Sequence, residues 1–255
     1  MKVLLTQAQA ELTLFLRDKT VVFFSLIFPV LTVAFFGYLN RGSQVPVLRG
    51  APAGESTVSY ASFVIAGGIG MVVSSAALQN LSIALARQRD VGILKRLGGT
   101  PLRAWELIGA KVLTAGVVIL AQSLIMIAVN VLLFKAEVRG NLLWGLGVLS
   151  VGAVTFSVMG IALAGLCRNA DAASAAGMAI ALPMQFLCGT LVPLQGLPPL
   201  LRRIAYALPL TYFVQALRGA MLTGGGPGQH AKDWAILLGC LVIASLVAVK
   251  TFRWE

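Results

Sequence analysis

The 255-residue chain is 58% hydrophobic and only 11% charged, and its mean hydropathy is +0.89. A water-soluble domain carries about 25% charged residues on a mostly polar exterior, so a soluble globule is excluded and lipid is the solvent for much of this surface. The net charge is +11; because the basic residues flank apolar runs, anionic lipid headgroups, and not nucleic acid, are the expected counterpart.

The first residues, MKVLLTQAQAELTLFLRDKT, have no continuous apolar core and no small-residue cleavage site, so they do not read as a secretion signal. Leu4, Leu5, Ala8, Leu12, Phe15 and Leu16 share a helical face that Gln7, Glu11 and Arg17 avoid. That predicts an amphipathic helix over 1–20 lying in the membrane interface. A transmembrane helix needs about 20 apolar residues to cross the hydrocarbon. Six stretches qualify, at approximately 21–39, 61–86, 112–134, 142–166, 172–194 and 234–252. The expected fold is therefore an all-α integral membrane domain covering 1–255, with six transmembrane helices. Pro29 and Pro183 fall inside the first and fifth spans and predict kinks, since neighbouring helices re-satisfy the freed carbonyls.

Between the second and third spans stands RQRDVGILKRLGGTPLRAWELIGAK, residues 87–111, with six of the chain's twenty Lys and Arg residues. Val91, Ile93, Leu94 and Leu97 make an apolar strip that Arg87, Arg89, Lys95 and Arg96 surround. Gly98 and Gly99 then permit a turn, and Pro101 can open the next helix where its missing N–H is harmless. The pattern predicts a short helix over 87–100 lying across the membrane, read either as a positive anchor or as a docking element.

Orientation follows from the positive charges. Lys2, Arg17, Lys19, the six in the block, Arg168, Lys250 and Arg253 lie on one side, and Arg41, Arg49, Lys135, Arg139, Arg202, Arg203, Arg218 and Lys232 on the other. The first set is larger and sits on shorter segments, so the positive-inside rule puts both termini and the 87–111 block in the cytoplasm. The connection between the fifth and sixth spans is not simple loop. Leu200, Leu201, Ile204 and Leu208 recur at helical spacing, and Phe213, Leu217 and Met221 do so after Pro209. This predicts an external re-entrant or interfacial helical hairpin over 195–231, ending in a glycine-rich turn at 224–228.

Catalytic patterns are absent from the sequence. It has no G-x-x-x-x-G-K-[ST] phosphate loop and no H-E-x-x-H. Cys167, Cys188 and Cys240 are scattered in or beside apolar segments and read as small hydrophobes; the single His230 cannot build a metal site with them, so no metal is expected. The spans offer only neutral polar groups, Gln79, Asn80, Gln122, Asn130 and Gln185. Each is either an interhelical hydrogen bond or a polar point on a substrate path.

Three segments resemble a known family. LARQRDVGILKRLGGTPLRAWELIGAKVL looks like the coupling-helix region of ABC type-2 permeases, the membrane subunits of bacterial ABC exporters. LFLRDKTVVFFSLIFPVLTVAFFGY is similar to that family's interfacial helix and first span. CGTLVPLQGLPPLLRRIAYALPLTYFVQALRG is similar to its last motif, carried by Gly189, Pro193, Pro198, Pro209, Thr211, Tyr212 and Arg218. The resemblance implies a multi-pass subunit of the bacterial cell membrane that pairs with a second copy or a sister permease. It also implies cytoplasmic ABC ATPase subunits that bind ATP and Mg, this chain holding no cofactor itself. Carried onto this sequence, Arg89, Asp90, Leu94, Lys95, Arg96 and Leu97 would face the ATPase, with Glu106 and Lys111 at the base of the third span. The expected cargo is amphipathic or apolar: a drug, antibiotic, lipid or lipid-linked glycan. A membrane sensor that docks an ATPase without translocating anything is the alternative. An intramembrane enzyme is disfavoured because the spans pair no Glu, Asp, His or Cys.

The missing phosphate loop gives a first test. The chain purified alone should show no ATP hydrolysis above background in a coupled assay, and turnover that follows the chain through further purification would contradict the subunit reading.

Overall fold

A computed structural model of the chain describes residues 2–46, 57–99, 104–137, 139–223, 228 and 230–251. Helix α1, Lys2–Arg17, packs against the third long helix. Leu12 and Phe15 are half-buried, while Leu14 and Leu16 are exposed. The corner that follows is made by Asp18, whose carboxylate accepts from the backbone N–H groups of Thr20 and Val21 at 3.1 Å each. Such an N-cap satisfies donors that the first turn would otherwise leave unpaired. Helix α2, Lys19–Leu39, opens with that cap. Pro29 cannot donate to the carbonyl four residues back, and the π turn Phe23–Ile27 just before it takes up the mismatch without ending the helix.

The sequence reading gave no strands, yet β1 (Gln44–Pro46) and β2 (Thr57–Ser59) pair antiparallel, Val45 opposite Val58. Three residues a side are too few to announce themselves by alternation. The hairpin leads into α3, Tyr60–Asp90, where Ser59 Oγ accepts from Ser62 N at 3.2 Å as the N-cap. This helix is the axis of the molecule. Its most apolar stretch is 89% buried, against 24% for α2. It has a π turn at Ser74–Asn80.

The block expected as one helix over 87–100 is split. Residues 87–90 are the last turn of α3; Gly92 then adopts φ +73°, and a separate six-residue helix α4, Ile93–Gly98, follows. Gly92 tolerates the left-handed conformation that ends a helix, whereas Val91 would not. Pro101 lies outside the described residues. Helix α5, Ala104–Phe134, contains the expected span 112–134 and carries Glu106 and Lys111 in the turns before it.

Helix α6, Leu142–Leu166, has the expected bounds; Asn141 caps it, accepting from Leu143 N at 2.9 Å. Helix α7, Ala170–Leu187, stops short of the expected 194. Gly189 turns the chain with φ +73°, and a 3-10 turn follows at Leu194–Gly196. The apolar run through Leu191 and Val192 hides that turn from a hydropathy reading.

Five helices are long and apolar enough to cross a membrane among the described residues: α2, α3, α5, α6 and α10, Ala231–Thr251. The six expected spans are thus reduced to five by this criterion, α7 being shorter and carrying Asp171, Pro183 and Gln185. The hairpin helices are α8, Pro199–Ala207, and α9, Pro209–Arg218, which continues as a π turn at Gly219–Thr223. Most of the glycine-rich turn at 224–228 lies outside the described residues.

Glycines let the other helices close on α3. A Cβ at Gly67 would sit 1.9 Å from the Thr190 carbonyl oxygen, and one at Gly160 of α6 2.4 Å from that of Ala77. Between lipid-embedded helices burial gives little driving force, so close backbone approach at small residues supplies the packing energy. Gly67→Ala should therefore destabilise the chain by about 1–3 kcal/mol through overpacking. Gly116→Ala, where nothing lies within 4 Å, should be neutral or stabilising by up to about 1 kcal/mol. Thermal unfolding of both variants in the same detergent checks the ranking; equal midpoints would contradict it.

Candidate functional site

The sequence-predicted residues separate into three places. The first is the far end of α3 with α4. Leu94 is 1% exposed and packs in a small core with Leu81, Leu85, Leu107 and Ile161. The expectation that Leu94 faces outward is corrected: the left-handed turn at Gly92 rotates α4 so that Leu94 points into the bundle. Val91 and Ile93 are instead the exposed apolar side chains, at 60% and 41%, beside exposed Lys95 and Arg96; Leu97 is half-buried.

Arg89 and Asp90 are engaged within the chain. Arg89 Nη1 donates to the Ala164 carbonyl at 3.1 Å and Nη2 to that of Cys167 at 2.5 Å. Asp90 Oδ2 accepts from the backbone N–H of Ala170 at 2.7 Å. Burial raises the Cys167 thiol above its ordinary range, with Arg89 pulling the other way; such a thiol is a poor nucleophile. Lys111 is 2% exposed, and its Nζ donates to Gln88 Oε1 at 2.7 Å across the α3–α5 contact. Glu106 lies in the first turn of α5, half-buried.

The second place is the set of amides inside the bundle. Gln185 Nε2 donates to Ser74 Oγ at 2.9 Å, joining α7 to the π turn of α3. Gln122 Nε2 donates to Ser25 Oγ at 3.1 Å, joining α5 to α2, and Asn130 Nδ2 donates to the Met126 carbonyl at 2.9 Å. Gln122 Oε1 and Asn130 Oδ1, with the hydroxyl of Ser123, are buried without a partner among the described residues. Gln79 and Asn80 are half-buried at the end of the π turn, and Gln79 packs beside Gly177 of α7. Gln185 and Gln122 thus each make one interhelical hydrogen bond.

The third place is the hairpin motif. Pro193 precedes the 3-10 turn, Pro198 precedes α8, and Pro209 separates α8 from α9. Pro209 cannot donate to the Ala205 carbonyl, and Thr211 Oγ1 does so instead at 2.5 Å; Tyr212 OH donates to the Tyr206 carbonyl at 2.6 Å. Arg218 is 5% exposed, and its hydrogen-bond acceptors among the described residues are backbone carbonyls. Its guanidinium lies 3.6 Å from the centre of the Phe63 ring, and donates to the carbonyls of Phe63, at 3.3 Å, and Gly189. Burial pulls it down to about 9, so it is a cation at neutral pH, held by carbonyl dipoles and the ring face. Nη1 has no partner.

Sequence reasoning missed Tyr60, whose hydroxyl donates to the Leu191 carbonyl at 2.7 Å, and Ser25 and Ser74, the partners of the two glutamines. It also missed the buried pair of His230 Nδ1 and Asp233 Oδ2 at 3.0 Å. An acid three residues after a histidine at a helix start was the one legible signal among these.

The model for the ABC-2 type transporter family matches residues 3–222. The chain is 26% identical over 193 residues to the probable multidrug ABC transporter permease YbhS of Escherichia coli (strain K12), covering 75% of this chain and 51% of that protein. It is 27% identical over 207 residues to nodulation protein J of Neorhizobium galegae, covering 79% and 74%. It is 29% identical over 148 residues to the inner membrane transport permease YhhJ of Escherichia coli (strain K12), covering 56% and 38%. The chain spans about half the length of the E. coli permeases it matches first. With the apolar helices already described, these matches make it a multi-pass membrane protein, and the chain belongs to the ABC-2 type transporter family.

Proposed function

We propose that the chain is the permease subunit of an ABC exporter, converting ATP hydrolysis by a separate ATPase subunit into export of an amphipathic or hydrophobic substrate. The observation that carries this is the surface after α3: exposed Val91 and Ile93, flanked by Lys95 and Arg96, on the short helix α4 that lies between α3 and α5 in the chain. An ATPase with ATP and Mg docks there from the cytoplasm, and α3 and α5 carry its displacement upward. Helix α7 serves as the sixth crossing, the hairpin α8–α9 lies at the outer face, and a second copy or sister permease completes the pathway. Both termini are cytoplasmic in a bacterial inner membrane. The orphaned acceptors of Gln122 and Asn130 support polar points on the substrate path, joined by Gln79, Asn80 and Gln185. The name of the multidrug permeases among the relatives supports a drug-like cargo.

Two measurements test the reading. Val91→Asp or Ile93→Asp removes an exposed apolar contact worth about 1.5–3 kcal/mol when buried by a partner, so ATPase capture by the tagged chain should fall about tenfold or more at normal expression. Leu94→Asp places an unpaired charge in the chain's own core and should instead lower the yield of folded chain. Undiminished capture by both surface variants would contradict the docking surface. For orientation, a single cysteine at position 95, with the three native cysteines replaced, should resist impermeant thiol reagents in intact cells, and one at position 44 should react. The opposite pattern would reverse the topology.

A further inference from the structure

The last turn of α3 holds both ends of the α6–α7 connection. Arg89 donates to the carbonyls of Ala164 and Cys167, at the terminus of α6 where carbonyls have no helical partner and the dipole is negative. Asp90, the next residue, accepts from the N–H of Ala170, in the positive first turn of α7. Consecutive opposite charges thus meet opposite helix ends, and exchanging them would make both contacts repulsive. The 91–98 segment is joined by the chain to α3 and α5, whereas α6 and α7 lie far from it in sequence. Apolar packing between α3 and these helices resists separation but allows sliding; a forked guanidinium and a carboxylate fix the axial register.

We propose that Arg89 and Asp90 are positioning residues that lock α6 and α7 to α3, so that displacement of the 91–98 segment moves four helices and not two. The proposal rests on the ATPase-docking reading above. It changes the role of both residues from contacts with the ATPase to a brace inside the permease.

The test uses the full chain co-purified with its ATPase in proteoliposomes, with Cys167, Cys188 and Cys240 replaced. Bimane is attached at position 178 on α7 or at position 117 on α5, both exposed in the wild-type chain. In the otherwise unsubstituted complex, ATP with vanadate should shift the fluorescence of both reporters. With Arg89→Ala and Asp90→Ala together, capture of the ATPase and hydrolysis should persist, the response at 117 should remain, and the response at 178 should be lost. Arg89→Lys with Asp90→Asn keeps one donor and an acceptor in place but not the fork, and should restore it only in part. Should the double alanine chain fold poorly, Asp90→Ala alone, at an exposed side chain, carries the same expectation in weaker form. A full response at 178 in the alanine variants, or loss at both reporters with hydrolysis intact, would overturn the brace. Failure of the unsubstituted chain to capture an ATPase is a different result: it would overturn the docking reading and the brace with it.

Discussion

The constraint on which the bundle depends is close packing against its most buried apolar helix, α3. Thirty-one residues from Tyr60 to Asp90 run through the bundle, and lipid offers the surrounding helices almost as good an environment as α3 does. What holds them there is approach close enough for dispersion and backbone contact. Gly67 admits the Thr190 carbonyl, Gly70 admits Val214 and Gly152 admits the Phe213 ring. These contacts fix where the turn after α7 lies and how α9 is seated, and they place Phe63 under Arg218. A β-carbon at the wrong one of these positions would displace an element and not merely a side chain.

Within that frame the polar groups act as joints. Burying a charge is costly unless dipoles or partners replace water. Arg218 meets this with carbonyls and an aromatic face, joining α3, the turn at 189–190 and α9. Lys111 meets it through Gln88, joining α5 to the last turn of α3. Each sits at one end of α3, so the helix is tied to its neighbours at both ends. Between them a single amide-to-hydroxyl bond runs from Gln185 to Ser74, and a π turn interrupts α3 at Ser74–Asn80.

Much of this was legible in the sequence, for specific reasons. The spans of α2, α3, α6 and α10 follow from apolar length alone, and the break at Pro209 follows from its missing N–H. Nothing local says that Thr211 would take over the bond Pro209 cannot make. The misjudged positions share a cause. The turn at Gly92, which sends Leu94 inward and leaves Val91 and Ile93 outside, depends on one backbone angle. So does the turn at Gly189, which shortens α7. Glycine marks where a left-handed turn is allowed, not where it is taken. Arg89 and Asp90 looked like surface charges because their partners are backbone groups about eighty residues away, and backbone groups leave no trace in a residue pattern.

The central claim is that the short segment after α3 is where an ATPase meets this chain. Its most direct test is a photo-crosslinking amino acid at position 93 in the full chain, activated in intact cells of the source organism, with the adduct identified by mass spectrometry. The account predicts one dominant protein adduct, an ATPase carrying a phosphate-binding loop, lost when the same crosslinker stands at lipid-facing position 243. Adducts to lipid alone, or to proteins with no nucleotide-binding domain, would contradict it.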